Sequence, residues 1–314
     1  MIIVNLIIGF DNFIKETNHS TLKAKKDGQP IKIEHKKDII WILMDEYGAP
    51  SYLKNEFRFY NPLLDSLKKR RFFTFDSLAS RSDYTIYSLS SLFNLDDSIL
   101  PSNDMYASLY LRKSTMVEQL KNLGYSFTNL DFIDIYNQHK IAKLPFFSDT
   151  YFSQIINHTI FSKIILSLIR PLDNYNNQVI AELNNTVKNN YQKPNFTWAH
   201  LLIPHSPYLR NSDGELNKNP IFNTSPIYTQ KNEIINQYLN YLLYGNAIIL
   251  KILNQIPDWQ NKIIIISGDH GARMFLKDGD PRRFATFAAI YYPGMDTMEL
   301  KQIKYLQQIP FHLH

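Results

Sequence analysis

A chain of 314 residues with 44% hydrophobic content can bury a substantial core and has no compositionally disordered block, so one large α/β domain is expected. The formal net charge of +5 comes from dispersed Lys and Arg rather than a basic stripe, which argues against nucleic acid as a partner and leaves a mild bias toward anionic substrates or membrane surfaces. The absence of cysteine excludes disulfides, thiolate metal sites and a cysteine nucleophile.

Residues 1–10 are apolar but far shorter than the roughly 20 residues needed to cross a bilayer. They also lack the basic start and small-residue cleavage site of a signal peptide. A buried terminal strand or helix and the trailing end of a membrane anchor both fit. Lys15 to Lys37 is polar and lysine-rich and reads as a linker. Residues 1–37 are therefore expected to lie apart from a globular body over 38–314.

Ile39-Ile-Trp-Ile-Leu-Met44 is a continuous apolar run that stops at Asp45-Glu46-Tyr47-Gly48, the pattern of a buried central strand in a parallel sheet. Asn61 to Arg70 carries apolar residues at helical spacing with Pro62 near its start, and Phe72 to Leu78 alternates as a strand. Thr85 to Phe93 opens a hydroxyl-rich helix. Thr115 to Leu123 makes another, ending at Gly124, and Tyr125 to Leu130 makes the strand that follows it, up to Asp131. Phe152 to Leu172 has the spacing of a core or interdomain helix.

Phe196 to Ile203 is strand-like and runs into Pro204-His205-Ser206-Pro207-Tyr208. Asn232 to Ile256 is the strongest helix of the sequence. Lys262 to Ser267 is a second buried strand, ended by Gly268-Asp269-His270-Gly271, and Phe284 to Tyr292 is strand-like up to Pro293-Gly294. His312 and His314 fall in a terminus expected to fray.

Two buried strands thus empty into an acidic cluster and an acid-plus-imidazole cluster, at the sheet edge where open α/β folds bind ligands. Asp45 and Asp269-His270 combine hard oxygen with borderline nitrogen donors, a set that suits Zn or Mn better than Ca. A divalent cation beside a helix N-terminus would acidify the Thr85 hydroxyl and stabilise negative charge on a transferring group. Taken singly, each cluster has a plainer reading: Asp-His-Gly as an ordinary loop, Asp45-Glu46 or Thr85 as a helix cap.

The motifs occur in a telling order: strand-Asp45-Glu46-Tyr47-Gly48, then Tyr84-Thr85-Ile86-Tyr87-Ser88, then His200 and Pro204-His205-Ser206-Pro207-Tyr208, then Ser267-Gly268-Asp269-His270-Gly271. Over residues 38–294 this order resembles the sulfatase-like branch of the alkaline phosphatase superfamily, which includes lipoteichoic acid synthases and phosphoethanolamine transferases. The resemblance implies a mostly parallel sheet sandwiched between helices. It also implies one catalytic divalent cation held by Asp45, Thr85, Asp269 and His270, with Thr85 as the nucleophile of a covalent phosphoryl intermediate. His205 would touch the phosphoryl oxygen or the leaving group, or be a plain loop histidine. His200 is a further candidate for substrate contact, and Glu46 for the shell behind the cation.

Departures from the family pattern narrow the reading. Sulfatases proper mature a Cys or Ser to formylglycine within a Cys/Ser-x-Pro-x-Arg motif, which this chain lacks, and the further Asp and His ligands of two-metal phosphatases have no counterpart. The expectation is a phosphoryl transferase or hydrolase at the cell envelope, acting on a phosphate-ester or lipid-linked substrate. A sulfuric or phosphonate ester hydrolase and a non-catalytic binding module are the alternatives. Donor and acceptor choice would lie in the loops Asp131 to Leu172 and Leu209 to Lys231.

Overall fold

The first apolar run becomes the centre of the sheet because both of its faces are covered. The computed structural model describes residues 30–33, 35–95, 103–138, 171–189, 191–221, 230–294 and 297–313. Along them run β1 (Ile39–Met44), α1 (Pro50–Phe57), α2 (Pro62–Lys69), β2 (Phe73–Ala79), α3 (Thr85–Asn94), α4 (Asp104–Lys113), α5 (Thr115–Asn122) and β3 (Ser126–Leu130). There follow α6 (Pro171–Lys188), β4 (Asn195–Leu201), α7 (Lys231–Gln255), β5 (Ile263–Gly268), β6 (Ala285–Tyr291) and the short α8 (Thr297–Leu300). The strands form one six-stranded sheet in the order β2-β6-β5-β1-β4-β3. β1 runs parallel to β4 and β5, β3 parallel to β4, and β6 antiparallel to both of its neighbours.

Pleating sends alternate side chains to opposite faces. Ile40, Ile42 and Met44 of β1 join the layer built with α1, α2, α6 and α7. Ile39, Trp41 and Leu43 join the layer built with α3, α4 and α5. The sheet is thus sandwiched between helices, as the continuous apolar runs of β1 and β5 require.

Most expected elements fall within a residue or two of their places. α1 was not foreseen: its N-cap, Ala49, makes no side-chain cap bond, so only Pro50 marks its start. α4 was missed because only Ala107, Ser108 and Leu111 of its ten residues are buried, too few for an apolar stripe. Most of the helix expected over 152–172 lies outside the described residues. The C-terminal segment is not frayed where it is described: a 3-10 helix, Leu306–His312, buries Leu306 and Ile309 against the second layer. Within the stretch read as a linker, Ile31 and Ile33 are buried in that same layer.

Candidate metal and nucleophile site

Strand register assembles the site. Met44 pairs with Gly268, so the next residues, Asp45 and Asp269, emerge side by side at the carboxyl edge. Gly268 allows this approach: a Cβ there would lie 2.2 Å from Thr286 Oγ1 and 2.9 Å from the Tyr47 carbonyl oxygen. α3 reaches the same edge through Ser88, whose buried hydroxyl donates to the Asp269 carbonyl at 2.7 Å. Its first residue, Thr85, consequently faces the two carboxylates.

The three candidate ligand groups Asp45, Asp269 and His270 are buried, and one ligand atom from each lies within 4.8 Å of the others. Thr85 Oγ1 donates to Asp45 Oδ1 at 3.4 Å and lies 3.5 Å from His270 Nε2. Thr85 is not the helix cap: Tyr84 occupies the N-cap position, without a side-chain cap bond. The hydroxyl is therefore spent on the cluster and not on the helix end.

The donor set fits a divalent cation on two observations. His270 Nδ1 is 2.9 Å from the Gly271 carbonyl oxygen, which can only accept, so Nδ1 carries a proton and Nε2 is the nitrogen turned toward the cluster. Asp269 Oδ2 is buried without a hydrogen-bond partner, 3.2 Å from that Nε2. Electrostatics agree. Burial raises the Asp269 pKa and the Asp45 charge adds to the rise, despite His270. Burial would raise Asp45 too, but His205, His200 and His270 hold it well below the usual carboxylate range. A cation between the two carboxylates would relieve their repulsion.

Behind Asp45 sits a pair absent from the sequence-level reading as a unit. Leu130 pairs with Ala199, which brings Asp131 beside His200. His200 Nδ1 lies 3.0 Å from Asp131 Oδ2, and the same carboxylate accepts from Trp198 Nε1 at 2.9 Å and from the Ile133 N–H at 3.1 Å. His200 Nε2 ends 3.8 Å from Asp45 Oδ2. With no exposed surface, His200 stands behind Asp45 and is not placed for the substrate contact expected of it.

Glu46 turns away from the cluster. Its backbone adopts φ 61, a conformation costing a non-glycine residue about 1–3 kcal/mol. Three contacts hold it there: its N–H donates to Asp269 Oδ1 at 3.0 Å, its carbonyl accepts from Tyr238 at 3.1 Å, and its carboxylate accepts from the Arg273 N–H at 3.1 Å. His205 lies at the more open side, with Nε2 3.8 Å from Glu46 Oε2 and 3.4 Å from Arg273 Nη2. Burial opposes a charge on His205, but Asp45 and Glu46 outweigh it and raise its pKa. Arg273 was missed in the sequence; its only signal is its place four residues after Asp269.

Residues 37–301 match the family model described as Sulfatase. Among solved structures, the chain is similar to the soluble domain of lipooligosaccharide phosphoethanolamine transferase A from Neisseria meningitidis, at 13% identity over 88% of this chain and 85% of that one, with a TM-score of 0.59. It is similar to the C-terminal periplasmic domain of EcEptC from Escherichia coli, at 14% identity over 90% and 83%, with a TM-score of 0.53. A protein in the alkaline phosphatase superfamily from Vibrio parahaemolyticus matches at 17% identity and a TM-score of 0.50, over 85% of this chain but only 62% of that one. At such identities the likeness is one of fold. No curated protein sequence matches the chain.

Proposed function

The chain belongs to the sulfatase family, and from that premise we propose that it is a metal-dependent phosphoryl-group transferase or hydrolase with Thr85 as its nucleophile. The observation that carries the reading is the convergence of Asp45, Thr85, Asp269 and His270 from three separate segments on one buried point. Asp45, Asp269, His270 and the Thr85 oxygen would hold one Zn or Mn ion. When bound, that ion supplies positive charge that acidifies the Thr85 hydroxyl and neutralises the transferring group.

Thr85 Oγ1 forms a bond to phosphorus as the bond from phosphorus to the leaving-group oxygen breaks. The Thr85 proton has an acceptor in Asp45 Oδ1, to which the hydroxyl already donates. His205, with its raised pKa, is suited to give a proton to the departing oxygen. The second half transfers the phosphoryl group from Thr85 to an acceptor hydroxyl or to water. The fold likeness to a phosphoethanolamine transferase supports a phospho-alcohol head group as cargo and an envelope glycan or lipid as acceptor. Likeness to a periplasmic domain supports a place at the cell envelope, at the outer face of the cytoplasmic membrane or in the periplasm. Among the described residues no helix is long and apolar enough to cross a membrane.

The test compares turnover of nitrophenyl phosphate, a nitrophenyl phosphodiester and nitrophenyl sulfate, with intact-mass analysis of the quenched protein. A phosphoryl-containing adduct on the peptide bearing Thr85, absent from Thr85→Ala, is expected. Preference for the sulfate without such an adduct would sink the reading.

A further inference from the structure

We propose that Arg273 is a substrate-binding residue of this site, a guanidinium that grips the non-bridging oxygens of a tetrahedral oxyanion, and that Glu46 is its tether and not a metal ligand. The assignment rests on the phosphoryl-transfer reading above and adds to it the group that recognises the anion.

Position comes first. Arg273 follows the Asp269-His270-Gly271 turn, so its backbone is carried by the loop that presents two of the cation's candidate ligands. Its N–H and its Nε both donate to Glu46 Oε1, at 3.1 and 3.4 Å, and Nη2 lies 3.4 Å from His205 Nε2. The Tyr84 ring, next to the nucleophile in sequence, has its centre 5.2 Å from the guanidinium carbon. One planar group thus spans from the loop that follows β5 to the entrance of α3.

Unused valence comes second. A guanidinium offers five N–H donors. Glu46 takes Nε and Nη2 lies against His205 Nε2, while both hydrogens on Nη1 meet no acceptor among the described residues. The side chain is 23% exposed, which makes it part of the cleft wall and not a solvated surface charge. Planar, unpaired donors of this kind match two oxygens of a phosphoryl group, a geometry that an ammonium cannot reproduce.

Charge comes third. Asp45, Glu46 and Asp269 bring three formal negative charges to the site, which alone would repel an anionic substrate. One divalent cation offsets two of them and Arg273 offsets the third. His205 completes the wall: its Nδ1 proton goes to the Ser206 carbonyl, and its Nε2 faces Glu46 Oε2 at 3.8 Å and Arg273 Nη2 at 3.4 Å.

Titration calorimetry of the full chain with inorganic phosphate, in the presence of Zn or Mn, tests the assignment. Arg273→Ala is expected to weaken phosphate by about tenfold to a hundredfold, the worth of one or two charge-assisted hydrogen bonds. Arg273→Lys should fall between the two, since it keeps charge but not the fork, and it serves if the alanine variant does not fold. Metal affinity should be unchanged in both variants. Glu46→Gln should retain metal and bind phosphate at least as tightly as the wild type. Wild-type phosphate affinity in Arg273→Ala would overturn the assignment alone, leaving the phosphoryl reading standing; loss of metal in Glu46→Gln would overturn the tether role. A wild-type protein that takes up metal but no phosphate would overturn the assignment and the phosphoryl reading together.

Discussion

His200 Nδ1 and Asp131 Oδ2 lie 3.0 Å apart with neither side chain exposed, and the far nitrogen of the same imidazole ends 3.8 Å from Asp45. Burial alone would lower the His200 pKa, but Asp131 and then Asp45 raise it to about 10. A histidine whose folded pKa lies above its unfolded value of 6.5 stabilises the fold fully below that value. The contribution is lost as pH rises through the folded value. Asp131→Asn should therefore cost about 3–5 kcal/mol near neutral pH, as for a broken buried ion pair. It should also flatten the fall in stability between pH 6.5 and 10. Urea denaturation of chelator-treated protein checks both; an unchanged pH slope would mean that His200 is neutral.

Metal uptake should stabilise the protein through Asp269. A cation at one hundred times its Kd adds about 2.7 kcal/mol to a fold that alone binds it. Asp269→Asn keeps an oxygen that can accept from the Glu46 N–H, now made at 3.0 Å, but removes the charge of the partnerless Oδ2. The metal-free variant should thus melt near the wild type, while the rise in Tm on adding Zn or Mn disappears. An equal rise in both proteins would remove Asp269 from the ligand set.

Thr85 separates chemistry from folding. Because Tyr84 is the N-cap and the Thr85 hydroxyl points to Asp45 and His270, Thr85→Ala removes no cap bond. Turnover of nitrophenyl phosphate should fall by at least about 10³-fold, on the scale of losing a nucleophile, with Tm shifted by only a few degrees. Thr85→Ser should retain part of the activity. Comparable turnover by Thr85→Ala would end the nucleophile's claim.

Three of the site residues legible in the sequence share one property: they follow directly from a strand that reads unambiguously. β1 and β5 are unbroken apolar runs, so Asp45, Asp269 and His270 could be placed at a sheet edge before any register was known. Asp131 also follows a strand, but β3 is only partly buried over its first three residues and its edge position weakens the pattern. Its pairing with His200 depends on the alignment of β3 on β4, 65 or more residues away, which local periodicity does not encode. Arg273 was hidden for a related reason: a lone arginine in a loop looks solvated until Glu46, far away in sequence, closes on it.

Gly271 tests whether the backbone of the β5 turn is what positions His270. A Cβ at this residue would lie 2.5 Å from the carbonyl oxygens of Ala285 and Arg282, and 2.9 Å from that of Arg283. These obstacles are backbone atoms of the chain entering β6, and Gly271 already donates to the Arg283 carbonyl at 2.8 Å, so no side-chain rotation can make room. Gly271→Ala should cost about 1–3 kcal/mol, the range of an overpacked interior. It should also weaken metal binding, because the shift moves the carbonyl that fixes the His270 tautomer. Gly279→Ala is the matched control: its added methyl meets nothing within 4 Å and its φ of 81 carries only a local backbone penalty of about 1–2 kcal/mol. Stability should fall in both variants, but metal affinity only in Gly271→Ala. If calorimetry finds the two variants equal in metal affinity, His270 is held by its own packing and not by the turn.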